Sequence, residues 1–267
     1  MIGPVQPDRA SLPLVEDDLA EPGLIAPHAV DLSGGMPTAV VVCFFAEVIE
    51  RLAQRPDTVL LGVLRAAHGE HALYSVVHGS TRVAVFHPGV GAPLAVGFFE
   101  EVVATGGRSF VAVGGAGALL PDLVLGHPVV VGSAVRDEGA SFHYAAPGRI
   151  IDADPAGVLA VTQALDERGV DHLVGRVWTT DAFYREAPAR IARRVGEDCL
   201  LVEMEAAALI AAARFRGVRL GVLLYAGDSV AGSEWDHRGW DAAVDVRSRL
   251  FDVAASAAVR LDAPGPV

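Results

Sequence analysis

The chain has 267 residues, 52% of them apolar, which is enough material for one substantial α/β core. Its formal net charge of −12 creates a field that repels polyphosphate and so argues against a general nucleic-acid partner. All 21 basic residues are arginine, which excludes lysine Schiff-base chemistry and a P-loop lysine.

Residues 1–37 carry Pro4, Pro7, Pro13, Glu16, Asp17, Asp18, Pro22 and Pro27 without clear periodicity, and read as an extended N-terminal arm. No basic stretch followed by an apolar core opens the chain, and no apolar run reaches about 18 residues, so neither a signal peptide nor a membrane span is expected. From Thr38 short β-branched runs alternate with helical stretches, and 38–267 reads as a single domain. Strands are predicted at Ala39–Cys43, Val59–Leu64, Leu73–Val77, Arg82–Phe86, Phe110–Gly114, Val129–Val135, Leu173–Trp178 and Leu220–Ala226. Helices are predicted at Phe45–Gln54, Ala92–Thr105, Ala156–Arg168, Ala187–Val195, Met204–Arg216 and Trp240–Arg260.

Several strands are continuous apolar runs followed by a glycine-rich turn and a helix, the pattern of a mostly parallel sheet covered on both faces. Two alternating runs around His78-Gly79 predict an antiparallel hairpin, which makes the sheet mixed. The mean hydropathy of +0.39 fits doubly buried strands and subunit interfaces. Gly217 suits a helix C-cap. Cys43 and Cys199 are too few for a disulfide framework or zinc cluster, so a reducing cytoplasm is the expected setting.

Gly89-Val90-Gly91 precedes a helix, and Gly114-Gly115-Ala116-Gly117 follows a strand. Such turns offer backbone N–H groups to an anion or a sugar oxygen, and equally serve as tight connections. Neither has the spacing of a dinucleotide fingerprint, and the histidines share no metal-ligand spacing, so no metal or other cofactor is expected. His87, beside the first glycine turn, is a candidate hydrogen-bond donor or a satisfied structural histidine.

Taken in order, Phe86-His87-Pro88-Gly89-Val90-Gly91, Phe110-Val111-Ala112-Val113-Gly114-Gly115-Ala116-Gly117, Thr179-Thr180-Asp181-Ala182-Phe183-Tyr184, Val202-Glu203-Met204-Glu205 and Gly227-Asp228-Ser229 resemble the purine nucleoside and uridine phosphorylase superfamily over roughly residues 38–260. Val135–Ser141 resembles a surface and interface segment of the same family. The resemblance implies a three-layer α/β/α sandwich around a mixed, mostly parallel sheet, a homo-oligomer (dimer, trimer or hexamer) and a small-molecule nucleoside substrate. It assigns Glu205 to the ribose hydroxyls, Met204 to the sugar's apolar face, Phe183 to the base and Asp228 to protonation of a purine leaving group. Glu203, Thr180, Gly89, Gly114, Gly115 and His87 fall among the substrate-binding motifs. Cleavage of an N-glycosidic bond builds positive charge on the sugar and negative charge on the base, so an acceptor near one and an acid near the other favour the transition state.

The chain departs from the family where phosphate is held. The loop after the first strand reads Cys43-Phe44-Phe45-Ala46-Glu47-Val48 without an arginine, Ala112 stands at a second arginine position, and His68 is the nearest match to a third. A phosphate dianion in an apolar cleft without paired charge carries a large desolvation penalty, so hydrolysis is expected over phosphorolysis unless Arg65, Arg82 or Arg176 compensates. Glu47 is a loose match to the acid that orients water in hydrolytic relatives, and also suits a helix start. Arg185-Glu186-Ala187-Pro188 replaces the glutamine and arginine that read uracil, which with Asp228 favours a purine-like base. Ser233–Trp240 reads as a pocket rim or a surface loop. The alternatives are a scaffold repurposed for cyclisation or rearrangement of a hydrophobic metabolite, and a non-catalytic binding protein.

Overall fold

The computed structural model describes residues 12–16, 19–67 and 69–263. In chain order these form β1 (Ala39–Cys43), α1 (Ala46–Ala53), β2 (Val59–Ala66), β3 (Gly69–His78), β4 (Thr81–Phe86), α2 (Ala92–Thr105), β5 (Ser109–Ala118), β6 (Pro128–Asp137), β7 (Ile150–Asp152), α3 (Pro155–Asp166), β8 (Leu173–Thr180), α4 (Pro188–Val195), β9 (Cys199–Glu203), α5 (Ala206–Arg216), β10 (Arg219–Ser229) and α6 (Val244–Asp262).

The central strands are apolar on both faces because both are covered. In β1, Val40 and Val42 face the layer of α2 and α5, while Ala39, Val41 and Cys43 face the layer of α1, α3 and α6. The sheet is mixed: β1 is parallel to β4 and β5, and β6 to β8. The hairpin of β3 and β4 turns at Gly79, whose φ of 60° suits glycine. Parallel and antiparallel pairings are nearly balanced among the described residues, since β5 to β9, β6 to β10 and β7 to β6 are all antiparallel.

Part of the sheet closes on itself. β10 pairs with β6 on one side and β5 on the other, and β9 joins β8 to β5, so β5, β10, β6, β8 and β9 form a ring from which β1, β4, β3 and β2 extend. The long strands β5 and β10 carry glycines, and their pairing shifts between Ala226 and Ser229, which lets them curve.

Several boundaries differ from the sequence expectations. Gly114–Gly117 is not a turn but the second half of β5, where Gly114 and Gly115 pair with Leu224 and Tyr225. The helix predicted from Met204 begins at Ala206, because the Glu203 carboxylate accepts the N–H groups of Glu205 and Ala206, both at 2.7 Å. α5 ends at Gly217, whose φ of 65° is the left-handed cap. The helix predicted from Trp240 is a short 3-10 turn followed by α6. Short β7 and β9 were not predicted.

The arm is anchored where it is described near the domain. The N–H of Val30 donates to Thr105 Oγ1 at 2.9 Å, Ser33 bonds Leu60 and Leu61 carbonyls beside β2, and Val30 and Leu32 pack on the core. Arg136, Glu138 and Ser141, from the segment resembling an interface, are buried within the chain. Among the described residues no helix is long and apolar enough to cross a membrane.

Candidate active site

The candidate site is a gap in the sheet. Along one edge of β5, β1 pairs as far as Val113 and β9 pairs at Gly117 and Ala118. The tips of β1 and β9 therefore approach end-on, with Gly114, Gly115 and Ala116 unpaired between them on that edge. Phe44 donates its N–H to the Val113 carbonyl on this side, and strand alternation then turns the peptide groups of Gly115 into the gap. Gly115 is also the one exposed residue of β5.

The first acidic pole lies where β9 runs into α5. Glu203 is turned inward: Oε1 accepts the Thr179 hydroxyl at 2.5 Å and Oε2 accepts the two N–H groups that start α5. Thr179 Oγ1 in turn accepts the N–H of Ala207 at 3.0 Å. Glu203 thus satisfies the helix N-terminus and holds Glu205 in place. Glu205 is buried, and its Oε1 accepts the N–H of Gly91 at 2.5 Å. Burial pushes both carboxyls up, and their mutual repulsion pushes Glu205 further. With three donors on Glu203, the charge of the pair rests there and the proton on Glu205. Met204 is half-buried between them.

The glycine turn before α2 is a turn, as expected. Gly89 and Gly91 have φ of 81° and 95°, and a methyl on Gly89 would meet Leu94 Cδ2 at 2.3 Å. His87 Nδ1 accepts the N–H of Gly89 at 3.0 Å, and the ring bonds the Phe44 backbone. The ring therefore clamps the turn to the end of β1, and burial lowers its pKa.

The second acid, Asp228, is the residue before the last of β10. Its Oδ2 accepts the indole N–H of Trp235 at 2.6 Å, and a methyl on Gly117 would stand 3.6 Å from Oδ1. Gly117 faces Val202 across the β5–β9 pair, so this one glycine separates Asp228 from the strand leading to Glu205. Trp235 comes from the segment read as a rim or a loop, and it touches the candidate acid. Thr180 is buried, its Oγ1 accepting the Ala182 N–H at 3.3 Å. Phe183 is 51% exposed, its ring 4.0 Å from that of Tyr184. Glu186, not singled out as a site residue by the sequence reading, is half-buried, and burial and then Asp228 push its carboxyl up to about 7.

The region between the poles contains aromatic and acidic groups. Phe44 packs beside Gly114, at 3.4 Å from the position of an added methyl, and Ala112 is buried in the core. Glu47, in the first turn of α1, pairs with Arg247 at 2.7 Å. Arg247 also donates to the Tyr225 hydroxyl at 3.0 Å and the Trp240 carbonyl at 2.8 Å. The three arginines named as substitutes are engaged elsewhere: Arg65 with Glu70 on the surface, Arg82 with Ser75 and the Asp57 carbonyl, and Arg176 with Ser133 and the Glu197 carbonyl. His68 lies outside the described residues. Among those described, no group of three or more His, Cys, Asp or Glu side chains is arranged to hold a metal ion.

Comparison with known proteins matches this architecture. Residues 38–260 match the family described as the Phosphorylase superfamily. The chain is 27% identical to a guanosine phosphorylase of Halorubrum lacusprofundi over 78% of its length and 86% of the relative's. It is 28% identical to a uridine phosphorylase of Thermococcus kodakarensis over 71% of this chain and 73% of the other. Among solved structures, uridine phosphorylase from Vibrio fischeri complexed with 6-hydroxy-1-naphthoic acid superposes with a TM-score of 0.71 at 25% identity, covering 84% of this chain and 91% of that one.

Proposed function

The chain belongs to the phosphorylase superfamily, and from that membership we propose that it cleaves the N-glycosidic bond of a purine-type nucleoside, with water as the acceptor. Glu205 takes the sugar hydroxyls, Met204 lines the sugar, Phe183 offers its exposed ring to the base, and Asp228 supplies the proton to the departing base. The observation that carries this reading is the approach of two acids at the β9 end of the open edge: Asp228 lies against Gly117, which pairs with Val202 on the strand that leads to Glu205.

The chemistry follows from charge. As the bond breaks, positive charge on the sugar is favoured by the carboxyl pair of Glu203 and Glu205, and negative charge on the base is discharged by the Asp228 proton. Trp235 occupies Asp228 Oδ2, which leaves Oδ1 for the base. Water in the gap meets the peptide groups of Gly115, and Glu47 keeps a second oxygen beyond its contact with Arg247. An anion there would face Phe44 and a paired acid, which disfavours phosphate.

Phosphorolysis is the second reading. The names of the relatives favour it, as does the guanidinium of Arg247 beside Glu47. Purified protein incubated with purine nucleosides, with and without phosphate, separates the two. Base release and free sugar at equal rates in both conditions support hydrolysis; strict dependence on phosphate selects the second reading, and no base release from any nucleoside removes both. We also read the protein as a homo-oligomer of a reducing cytoplasm, supported by two free buried thiols and exposed apolar residues such as Val59, Leu60 and Val90.

A further inference from the structure

The loop after β10 brings a tryptophan onto the candidate acid. Ser229 and Asp236 exchange both backbone hydrogen bonds, N–H to carbonyl at 2.8 and 2.9 Å, so they stand directly opposite one another in an isolated antiparallel bridge. Alternation about that bridge puts Asp228 and Trp235 on the same side of the ribbon as diagonal neighbours, and the indole N–H reaches Asp228 Oδ2 at 2.6 Å. His237 stands edge-on to the indole with the ring centroids 5.3 Å apart, and Arg238 ties the loop to the Leu123 carbonyl at 2.6 Å. Trp235 is 60% exposed, so burial does not account for its orientation. Among the described residues no other hydrogen bond reaches the Asp228 carboxyl, which leaves Oδ1 open beside Gly117.

We propose that Trp235 is a positioning residue for the reaction, its indole N–H fixing the Asp228 carboxyl so that Oδ1 holds the proton delivered to the departing base; this rests on the reading that the cleft cleaves a nucleoside. An indole N–H donates and cannot accept, so Oδ2 meets it only as an acceptor and the proton of the acid form has to sit on Oδ1. As the C–N bond breaks, its electron pair passes to the base, a base nitrogen takes the Oδ1 proton, and water adds to the sugar carbon. The proton that this water sheds returns to the carboxyl by way of solvent. The carboxylate left after transfer accepts the same indole bond in its stronger, charge-assisted form. The contact therefore tightens as the proton leaves, and a bond that is stronger in the transition state than in the ground state adds to rate rather than to substrate affinity.

Trp235→Phe keeps an aromatic ring on the exposed rim and removes the donor. Its kcat on a purine nucleoside should fall about tenfold or more, the scale of a hydrogen bond to a charged group, with KM within about twofold of wild type. With para-nitrophenyl riboside, whose leaving group departs as a stable anion and needs no proton, the loss should shrink to about twofold or less. The chain has three tryptophans, so nitrogen-labelled indole NMR resolves the contact without turnover: the N–H resonance missing from Trp235→Phe should move in Asp228→Asn, while that of the buried Trp178 stays in place. A nucleoside rate unchanged in Trp235→Phe, equal losses on both substrates, or a Trp235 resonance indifferent to Asp228→Asn overturns the inference and leaves the cleavage activity standing. A wild type that releases base from no nucleoside overturns the proposed activity and the inference with it.

Discussion

The N–H of Gly91 donates to Glu205 Oε1 at 2.5 Å, joining residues 114 positions apart. The contact ties the turn that starts α2 to the residue that starts α5, and it fixes one oxygen of the carboxyl. Gly91 is at φ 95°, a conformation that presents its N–H here and that side chains other than hydrogen rarely adopt.

Replacing either acid should disable the reaction without unfolding the protein. Glu205→Gln keeps an acceptor for Gly91 and is expected to lower kcat/KM by about 10²-fold, and Asp228→Asn by roughly 10²–10⁴-fold. Base release measured by chromatography checks this. Wild-type rates in both variants would remove these residues from the mechanism.

Stability should fall as pH rises. The carboxyls of Glu203, Glu205 and Glu186 are all raised from the ordinary value of 4.5. Between that value and their folded values the native state holds more protons than the unfolded chain, so their contribution is complete below about pH 4.5 and is lost as pH climbs through neutrality. Melting curves from pH 5 to 8.5 should show a declining Tm. Glu205→Gln, which has no proton to lose, should show a shallower decline and lie a few degrees above wild type at pH 8.

Two glycines in helices should respond oppositely to alanine. A methyl on Gly157 would stand 2.0 Å from the Leu220 carbonyl oxygen, because α3 rests directly on β10. The backbone on both sides cannot yield, and Gly157→Ala is expected to cost about 3 kcal/mol or more. A methyl on Gly97 in α2 meets nothing within 4 Å, so Gly97→Ala should stabilise by about 0.5–1 kcal/mol. Urea denaturation of both variants tests the packing.

Arg247→Met should destabilise by about 3–5 kcal/mol. The side chain is 9% exposed, and its guanidinium holds Glu47, the Tyr225 hydroxyl and the Trp240 carbonyl together, so its loss strands several polar groups at once. Adding Glu47→Gln should recover part of the loss. Equal denaturation midpoints for wild type and Arg247→Met would show that the pair contributes nothing.

The sheet was legible because its central strands are unbroken apolar runs, and Val40 to Val42 can be little else. Helix ends were legible where a local signal exists, as at Gly217. Cys199–Glu203 escaped because it is short and its role as a strand comes from docking onto β8 and β5, contacts with no trace in local periodicity. The run Gly114–Gly117 looked like a turn because glycine is common in turns. Here its missing side chains make room for Tyr225, Phe44 and Asp228. The motifs pointed to Glu205 and Asp228, whereas the burial of Glu186 against Asp228 and the pairing of Glu47 with Arg247 depend on residues brought together from far along the chain.

The eight residues Ala206–Ala213 are all buried, so α5 has no free face on which to change size. A larger residue there would wedge the helix away from the strands and drag Glu205 with it. The opposite rim is built differently: Phe183, Tyr184 and Trp235 project from short turns and loops into solvent. Evolutionary or laboratory retuning is thereby channelled to one wall. Libraries spread over 183–186 and 233–240 should yield soluble variants with altered substrate range, while libraries over 206–213 should yield mostly aggregates.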